Sequence, residues 1–393
     1  MTVISYEQAL EIVLDSARVL GSEHVEIACA ANRILAEDVK SDIDMPPFDK
    51  SAMDGYACRR EDLGNELAIV EVVAAGASPT KKIGANQCAK IMTGAPVPDG
   101  ADCVVMVEYT ENPTEDTMLF TGKDTTDNIC FQGEDIKSGQ VVLGKGLLIE
   151  PQHIATLACV GCVEPLVSVR PKVGVIVTGD ELVAPKEVPE AGQIRDSSSG
   201  QLCAQVERMG AIANSYGIIG DDKEVIDRAV KKAISENDVV LISGGSSMGD
   251  YDFVPEILKQ NGIELRFEKI AVKPGKPTIF GVCEDAFCFG MPGNPVSTFV
   301  VFEILVKQFL YKMMGHEYKH HDIPMPLAKK LKRKKTKRQL WVPVAITDEG
   351  KALQVDYHGS ADISALCGAD GLVSMDVGVS EIEKETVVKV RLI

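Results

Sequence analysis

The stretch from Val173 to Asp252 is written as short β-branched runs that stop at glycines: Val173 to Val177 ends in Thr178-Gly179-Asp180-Glu181, and Asp238 to Ser243 ends in Gly244-Gly245-Ser246-Ser247-Met248-Gly249-Asp250-Tyr251-Asp252. Continuous apolar runs of this length predict strands buried on both faces, with polar groups surfacing only where each strand ends. Ala213 to Ile219 is a third such strand, ending at Gly220-Asp221-Asp222. Between the strands the apolar spacing becomes helical, over Gln201 to Met209 and over Lys223 to Ser235, where Val225, Ala229, Ala233 and Ile234 fall on or near one face. This alternation predicts βαβ units in a doubly wound parallel sheet, a fold that binds ligands at the carboxyl edge of its strands.

Ahead of that unit, Ala9, Ile12, Val13, Ala17 and Leu20 repeat at the spacing of one helical face, predicting a packing helix over Tyr6 to Leu20 with Ser5 as N-cap. The pattern breaks at Asp44-Met45-Pro46-Pro47-Phe48-Asp49-Lys50-Ser51-Ala52-Met53-Asp54-Gly55-Tyr56-Ala57. Two prolines exclude a helix there and Asp-Gly marks a turn, so Asp49, Ser51 and Asp54 are expected on an exposed, rigid loop. From Leu67 to Val107 short β-branched runs alternate with Gly and Pro, the mark of small antiparallel strands, and Thr93 directly follows the strand Ala89 to Met92. The interval from about Pro46 to Gly139 thus reads as a β-rich module inserted between two helical pieces. Pro171 opens the central domain, in which Phe287 to Phe289 is a further strand and Phe299 to Met314 an apolar helix. Leu340 to Ile393 holds short alternating strands of a small β-barrel or sandwich, whose one site-like part is the loop His358-Gly359-Ser360-Ala361-Asp362.

Composition narrows what such a fold serves. With 393 residues, 45% hydrophobic and 25% charged, a sizeable core and about two to four domains are expected. A formal charge of −17 and a pI near 4.9 argue against nucleic acid as the main partner. No run approaches the roughly 20 apolar residues of a membrane span, and the N-terminus lacks a charged-then-apolar leader pattern, so a cytoplasmic protein is expected. The 11 cysteines lack framework spacing and are expected to be mostly buried thiols; the C-x-x-C of Cys159 and Cys162, at an apolar helix end with a glycine stop, reads as packing. Lys329 to Arg338 holds eight basic residues, which in an acidic chain without interleaved aromatics reads as a solvated linker or strand face.

Candidate chemistry gathers where the strands stop. The glycines from Gly244 to Gly249 let backbone N–H groups close on an anion, and Asp250 and Asp252 add hard oxygens suited to Mg²⁺. Neither the Walker pattern nor G-x-G-x-x-G is present in this loop. Lys273-Pro274-Gly275-Lys276-Pro277 sets two ammonium groups on a stiffened turn, an oxyanion clamp. Gly290-Met291-Pro292-Gly293-Asn294-Pro295-Val296-Ser297 leads into the apolar helix, and Ser297 marks a second anion site.

Met45 to Ala57, Thr93-Gly94-Ala95-Pro96-Val97-Pro98, Gly133-Glu134-Asp135, Thr178-Gly179-Asp180-Glu181-Leu182, the Gly244 to Gly249 loop, Lys273 to Pro277 and Pro292 to Ser297 together resemble the molybdopterin molybdenumtransferases, the MoeA type shared with the C-terminal domain of gephyrin. The resemblance covers nearly the whole chain. It implies four domains per subunit: residues 1–45 with 140–170 as an elongated piece, 46–139 as the β-rich insert, 171–320 as an α/β molybdopterin-binding domain similar to molybdopterin adenylyltransferases, and 321–393 as a β-barrel. It implies an elongated homodimer whose site joins the central domain to the partner's β-module, with other molybdenum cofactor biosynthesis proteins as further partners and neither nucleic acid nor membrane. The implied reaction inserts molybdate into adenylylated molybdopterin (molybdopterin-AMP), with Mg²⁺-dependent release of AMP.

Carried over by matching motif, the site comprises Asp54, Thr93, Asp135, Glu181, Asp221, Asp252, Lys273, Lys276, Pro292, Pro295 and Ser297. In the roles this implies, Glu181, Asp221 and Asp252 hold Mg²⁺ against phosphates cradled by Gly244, Gly245, Ser247 and Gly249. Lys273, Lys276 and Ser297 receive molybdate, and Asp54, Thr93 and Asp135 arrive from the second chain. Lys50 stands where the family usually has Asn, adding a cation near the shared site, and Ser246 where Val is common. An adenylyltransferase would need only the central domain, and a gephyrin-type scaffold would bring extra domains or a long linker. The β-modules at both ends favour the transferase.

Overall fold

The computed structural model describes residues 2–244 and 253–393. It is a mixed α/β fold with three six-stranded sheets. In the central one the strand order is Ile212–Ile219, Lys172–Thr178, Val239–Ser243, Phe287–Met291, Ile279–Val282, Glu264–Phe267. The first four strands run parallel and Ile279–Val282 runs antiparallel to both of its neighbours, so the expected parallel sheet is mixed at one edge. The cause lies in a short connection. Ile279–Val282 and Phe287–Met291 are joined only by Cys283 to Ala286, closed by the Cys283 N–H on the Ala286 carbonyl at 3.0 Å, whereas parallel neighbours need a crossover of a dozen or more residues.

Alternate side chains of these strands enter two separate cores. Val173, Val175, Val177 and Leu241 pack with Leu202 and Val206 of the helix Ser198–Arg208, while Ile176, Val240 and Ile242 pack with Ile226 and Val230 of Lys223–Glu236. A strand sends successive side chains to opposite faces, so a run apolar at every position is a run covered on both.

Helix boundaries moved from expectation for local reasons. The helix expected from Gln201 starts at Ser198, because the Asp196 carboxylate accepts the Ser198 and Ser199 N–H groups at 2.9 and 3.0 Å. The helix expected from Phe299 starts at Pro295, a residue suited to the first helical position, and continues through the π turn Phe302–Val306 to Lys307–Met313. Ser5 caps Tyr6–Ser16 in a box with Gln8, at 3.2 and 3.0 Å. That helix stops short of Leu20, whose N–H donates instead to the Met313 carbonyl at 2.8 Å.

The β-rich insert forms a sheet ordered Cys103–Met106, Gly55–Cys58, Gln87–Ile91, Glu66–Val73, Thr117–Phe120, Thr110–Glu111. Its Glu66–Val73 and Gln87–Ile91 strands are parallel, against the antiparallel expectation; residues 74–86 supply the crossover. Strands from before and after the insert meet, Ser22–His24 with Leu166–Ser168 and Val39–Lys40 with Val141–Leu143, over a core of Leu35, Val39, Leu143, Leu157 and Val167.

The C-terminal sheet runs Val272–Lys273, Gln339–Ile346, Gly371–Met375, Val387–Leu392, Asp322–Pro326, with Ala352–Gln354 as a sixth strand paired off this path to Gln339–Ile346. This hydrogen-bonded path has two ends; the ring closure of a barrel is not part of it. Of the 11 cysteines only Cys58, Cys88, Cys103 and Cys288 are buried, so the expectation of mostly buried thiols fails, and Cys159 is exposed where Cys162 is half-buried. Among the described residues no helix is long and apolar enough to cross a membrane.

Candidate active site

Four parallel strands must end on one edge, and here those ends deliver Thr178, Gly179 and Glu181, then Asp221, Ser243 with Gly244, and Pro292 to one place. With Lys273 to Pro277, Pro295 and Ser297 they line a cleft of about 1140 Å³. Thus Glu181, Asp221, Gly244, Lys273, Lys276, Pro292, Pro295 and Ser297 line one cleft. Gly245, Ser247, Gly249 and Asp252 lie outside the described residues, as do Ser246 and Asp250. Asp54, Thr93 and Asp135 are not among the cleft's lining residues in this chain.

One wall is acidic. The Asp221 N–H donates to Asp180 Oδ1 at 3.0 Å, and the Asp180 N–H to Asp221 Oδ2 at 3.4 Å, which ties two strand ends together. Partial burial pushes the Asp221 carboxyl above its ordinary range; the charges of Asp180 and Glu181 push the same way, against the Asp180 N–H bond. A hard cation would relieve that crowding. Among the described residues, no group of three or more His, Cys, Asp or Glu side chains converges on one metal-holding point. Beside this wall Gly244 takes φ +98°, and a Cβ there would lie 2.3 Å from the Thr178 carbonyl oxygen. Among the described residues the buried Thr178 Oγ1 finds no hydrogen-bond partner, in a residue that lines the cleft.

A second part of the lining is cationic, and it is held by the C-terminal sheet. Val272–Lys273 pairs in parallel with Gln339 and Leu340, and Arg338 Nη1 donates to the Val272 carbonyl at 3.2 Å. The turn beyond Lys273 is fixed: Thr278 Oγ1 donates to the Gly275 carbonyl at 2.7 Å, and the Lys276 carbonyl accepts from the Ile270 and Thr278 N–H groups at 3.0 Å each. Gly275 sits at φ +116°, where a Cβ would strike Val301 at 2.5 Å. Ser297 is 4% exposed on the first turn of its helix.

The C-terminal loop closes one side of the cleft. The Asn294 Nδ2 donates to Ser360 Oγ at 2.9 Å and the Val296 N–H to the Ser360 carbonyl at 3.2 Å, bringing Tyr357, His358, Gly359 and Ala361 to the lining.

Arg195 to Ser198 and Arg338 also line it and were not among the expected site residues. The signal for the first group was Asp196 two residues before Ser198, a capping pattern; Arg338 was hidden in its basic run. That run is less solvated than its charge suggests. Arg333 is 8% exposed and donates to the carbonyls of Val379 at 2.7 Å, Arg338 at 2.6 Å and Asp376, while Lys330 pairs with Glu381 and Glu383 at 3.0 and 2.7 Å.

On the β-rich insert, the Asp54 carboxylate accepts the Thr93 N–H at 2.7 Å and Thr93 Oγ1–H at 2.8 Å, and these bonds hold it below its ordinary range. The Asp135 N–H donates to the Met45 carbonyl at 3.0 Å. Asp54, Thr93 and Asp135 are exposed. Ser51, expected exposed, is buried: its strand pairs with Ile129–Cys130 and its hydroxyl donates to the Met53 carbonyl at 2.5 Å. Lys50 lies opposite Cys130, whose thiol is pushed up by burial and then by the charge of Glu134, with Lys50 opposing.

Lysines and carboxylates that line one cleft at the carboxyl edge of a largely parallel sheet mark an α/β protein with its candidate site at the strand ends. Three family models match in succession: "MoeA N-terminal region (domain I and II)" over residues 4–161, "Probable molybdopterin binding domain" over 174–312 and "MoeA C-terminal region (domain IV)" over 324–393. A molybdopterin molybdenumtransferase of Staphylococcus epidermidis is 37% identical over 322 residues, 80% of this chain and 77% of that protein. One of Staphylococcus aureus is 35% identical over 319 residues, 79% and 76%. The crystal structure of the molybdopterin biosynthesis moeA protein from Pyrococcus horikoshii OT3 superposes over 100% of both chains at a TM-score of 0.88 and 31% identity. The chain belongs to the molybdopterin molybdenumtransferase family, transferases of molybdenum cofactor biosynthesis.

Proposed function

We propose that this chain inserts molybdate into adenylylated molybdopterin with Mg²⁺-dependent release of AMP. It works as a cytoplasmic homodimer whose subunits divide into residues 1–45 with 140–170, 46–139, 171–320 and 321–393. One observation carries the reading: Lys273 and Lys276 line the same cleft as Glu181 and Asp221. Such a combination suits a substrate pair in which phosphates need a cation and a tetrahedral dianion needs ammonium groups.

The donors on the acidic wall fit Mg²⁺, since carboxylate oxygens are its preferred ligands and the raised Asp221 carboxyl marks charge in need of neutralisation. Glu181, Asp221 and Asp252 would hold it. When bound, it would supply positive charge against the phosphates. Gly244, with Gly245, Ser247 and Gly249, would let backbone approach those phosphates; Lys273, Lys276 and Ser297 would hold molybdate beside Pro292 and Pro295. Asp54, Thr93 and Asp135 of the second chain would close the cleft. The decisive experiment incubates the protein with molybdopterin-AMP, molybdate and Mg²⁺ and then reconstitutes a cofactor-free molybdoenzyme. Restored activity with AMP release supports the reading; neither product in the presence of both substrates overturns it.

Two further outcomes are expected. Lys276→Ala removes one charge-assisted contact, about 1.5–3 kcal/mol or roughly ten- to a hundred-fold in molybdate affinity, and leaves nucleotide affinity nearly unchanged. Calorimetric titration of both ligands checks this: an equal loss for the two would assign the lysines to the phosphates. Mixing inactive Asp54→Ala and Asp252→Ala subunits is expected to restore about one working site per heterodimer, because a two-fold dimer presents the same patch at two equivalent clefts. Continued inactivity after confirmed subunit exchange would place the site within one chain.

A further inference from the structure

Among the described residues of the cleft lining, His358 supplies the one imidazole, a ring that can hold a proton on one nitrogen and accept one on the other. Its neighbours there are ill suited to that task. The ammonium groups of Lys273 and Lys276 are donors with no lone pair, and the Tyr357 phenol is pushed up by burial and by Asp362, so it keeps its proton. Glu181 and Asp221 are the cation-holding wall in the reading above.

The imidazole is also oriented. The Asp362 carboxylate accepts from Ser364 Oγ–H at 2.5 Å, from the His358 N–H at 3.1 Å and from the ring at Nδ1, 3.2 Å away. These three bonds, the Ser364 hydroxyl first, hold the Asp362 carboxyl at about 2. An ionised carboxylate can only accept, so the ring hydrogen sits on Nδ1 and the lone pair on Nε2. The side chain of Asp362 is 17% exposed and that of His358 80% exposed, so the orienting group is sheltered and the ring is reachable. Ser360, between them, anchors the loop to Asn294 and Val296 beside Ser297.

We propose that His358, positioned by Asp362, is the proton-transfer residue of this cleft. The proposal rests on the transferase reading. As a Mo–S bond forms, His358 Nε2 takes the proton of a molybdopterin S–H group and returns it to the oxygen that leaves molybdenum as water. For a dithiol and molybdate the step balances: two S–H bonds and one Mo–O bond break, two Mo–S bonds and two O–H bonds form, one water leaves, and molybdenum keeps its oxidation state.

The test measures molybdate-dependent cofactor formation by the full chain in wild type, His358→Ala, His358→Gln and Asp362→Asn, with and without added imidazole. His358 is exposed, so its variants are expected to fold normally, as thermal denaturation would verify. Loss of a general acid–base group lowers turnover by about 10²–10⁴-fold. His358→Ala and His358→Gln should fall in that range with KM for molybdate unchanged, and imidazole should restore part of the His358→Ala turnover. Asp362→Asn, which can present an amide N–H to the ring in place of an acceptor, should lose turnover while retaining molybdate binding. Wild-type turnover in His358→Ala, or a loss that imidazole does not relieve, overturns the proposal. Failure of wild type itself to form cofactor or release AMP would instead remove the transferase reading beneath it.

Discussion

Glu181→Gln is expected to abolish cofactor formation while leaving the fold intact. Glu181 is exposed, on the loop after the strand Lys172–Thr178, so it contributes nothing to the core. Exposed substitutions of this kind usually change stability by no more than about 0.5 kcal/mol. Its place is nonetheless constrained. A Cβ on Gly179, itself at φ +152°, would lie 2.6 Å from Glu181 Oε2. Glutamine keeps the shape and removes the charge, so what is lost is attraction for a cation. The same change relieves Asp221 of one repulsive neighbour, and its carboxyl should shift downward toward the ordinary range. Turnover assays with Mg²⁺, paired with a carboxyl NMR titration of Asp221, read both effects. Normal Mg²⁺-dependent turnover in the variant would remove Glu181 from the metal set.

The largest stability effect is expected at Glu303. This side chain is 2% exposed within the π turn, in contact with Arg208, 3.2 Å from Lys307 Nζ, and accepting from Gln205 Nε2 at 2.8 Å. Arg208, 43% exposed, can turn to water when the carboxylate is removed; Lys307, 11% exposed, cannot turn as readily. Leaving such a charge unpaired costs about 3–5 kcal/mol, and Glu303→Ala should lose that much in denaturant unfolding. The cleft should suffer too, because the helices this network joins carry Ser198 and Ser297 to the lining at their other ends. A change under about 0.5 kcal/mol would mean that the network is solvated and dispensable.

The parts of the fold that were legible are those where one local pattern has one solution. Val173 to Val177 and Asp238 to Ser243 are apolar at nearly every position because two cores claim alternate residues, and the glycines after them mark the ligand edge. The antiparallel pairing of Ile279–Val282 was not legible, since direction follows from turn length and the strand composition is the same either way. Ser51 reads as loop polarity until its pairing with Ile129 is known. Within one basic run Arg333 is a buried staple and Arg338 a cleft residue, a division set by carbonyls more than 40 residues away in two of its three contacts. The Ser360 contact with Asn294 spans 66 residues and leaves no periodic trace at either end.

That span has a consequence for the life of the chain. Lys273 finds its strand partner only when Gln339–Ile346 exists, and the turn at Pro292 receives its cover only when Ser360 does. Domains generally fold as units in the order of their synthesis. A nascent chain can therefore complete its central sheet on the ribosome and still lack the C-terminal side of its cleft until the residues around 360 have emerged. Translation halted short of that point would yield a protein with ordered cores and a cleft left open on that side.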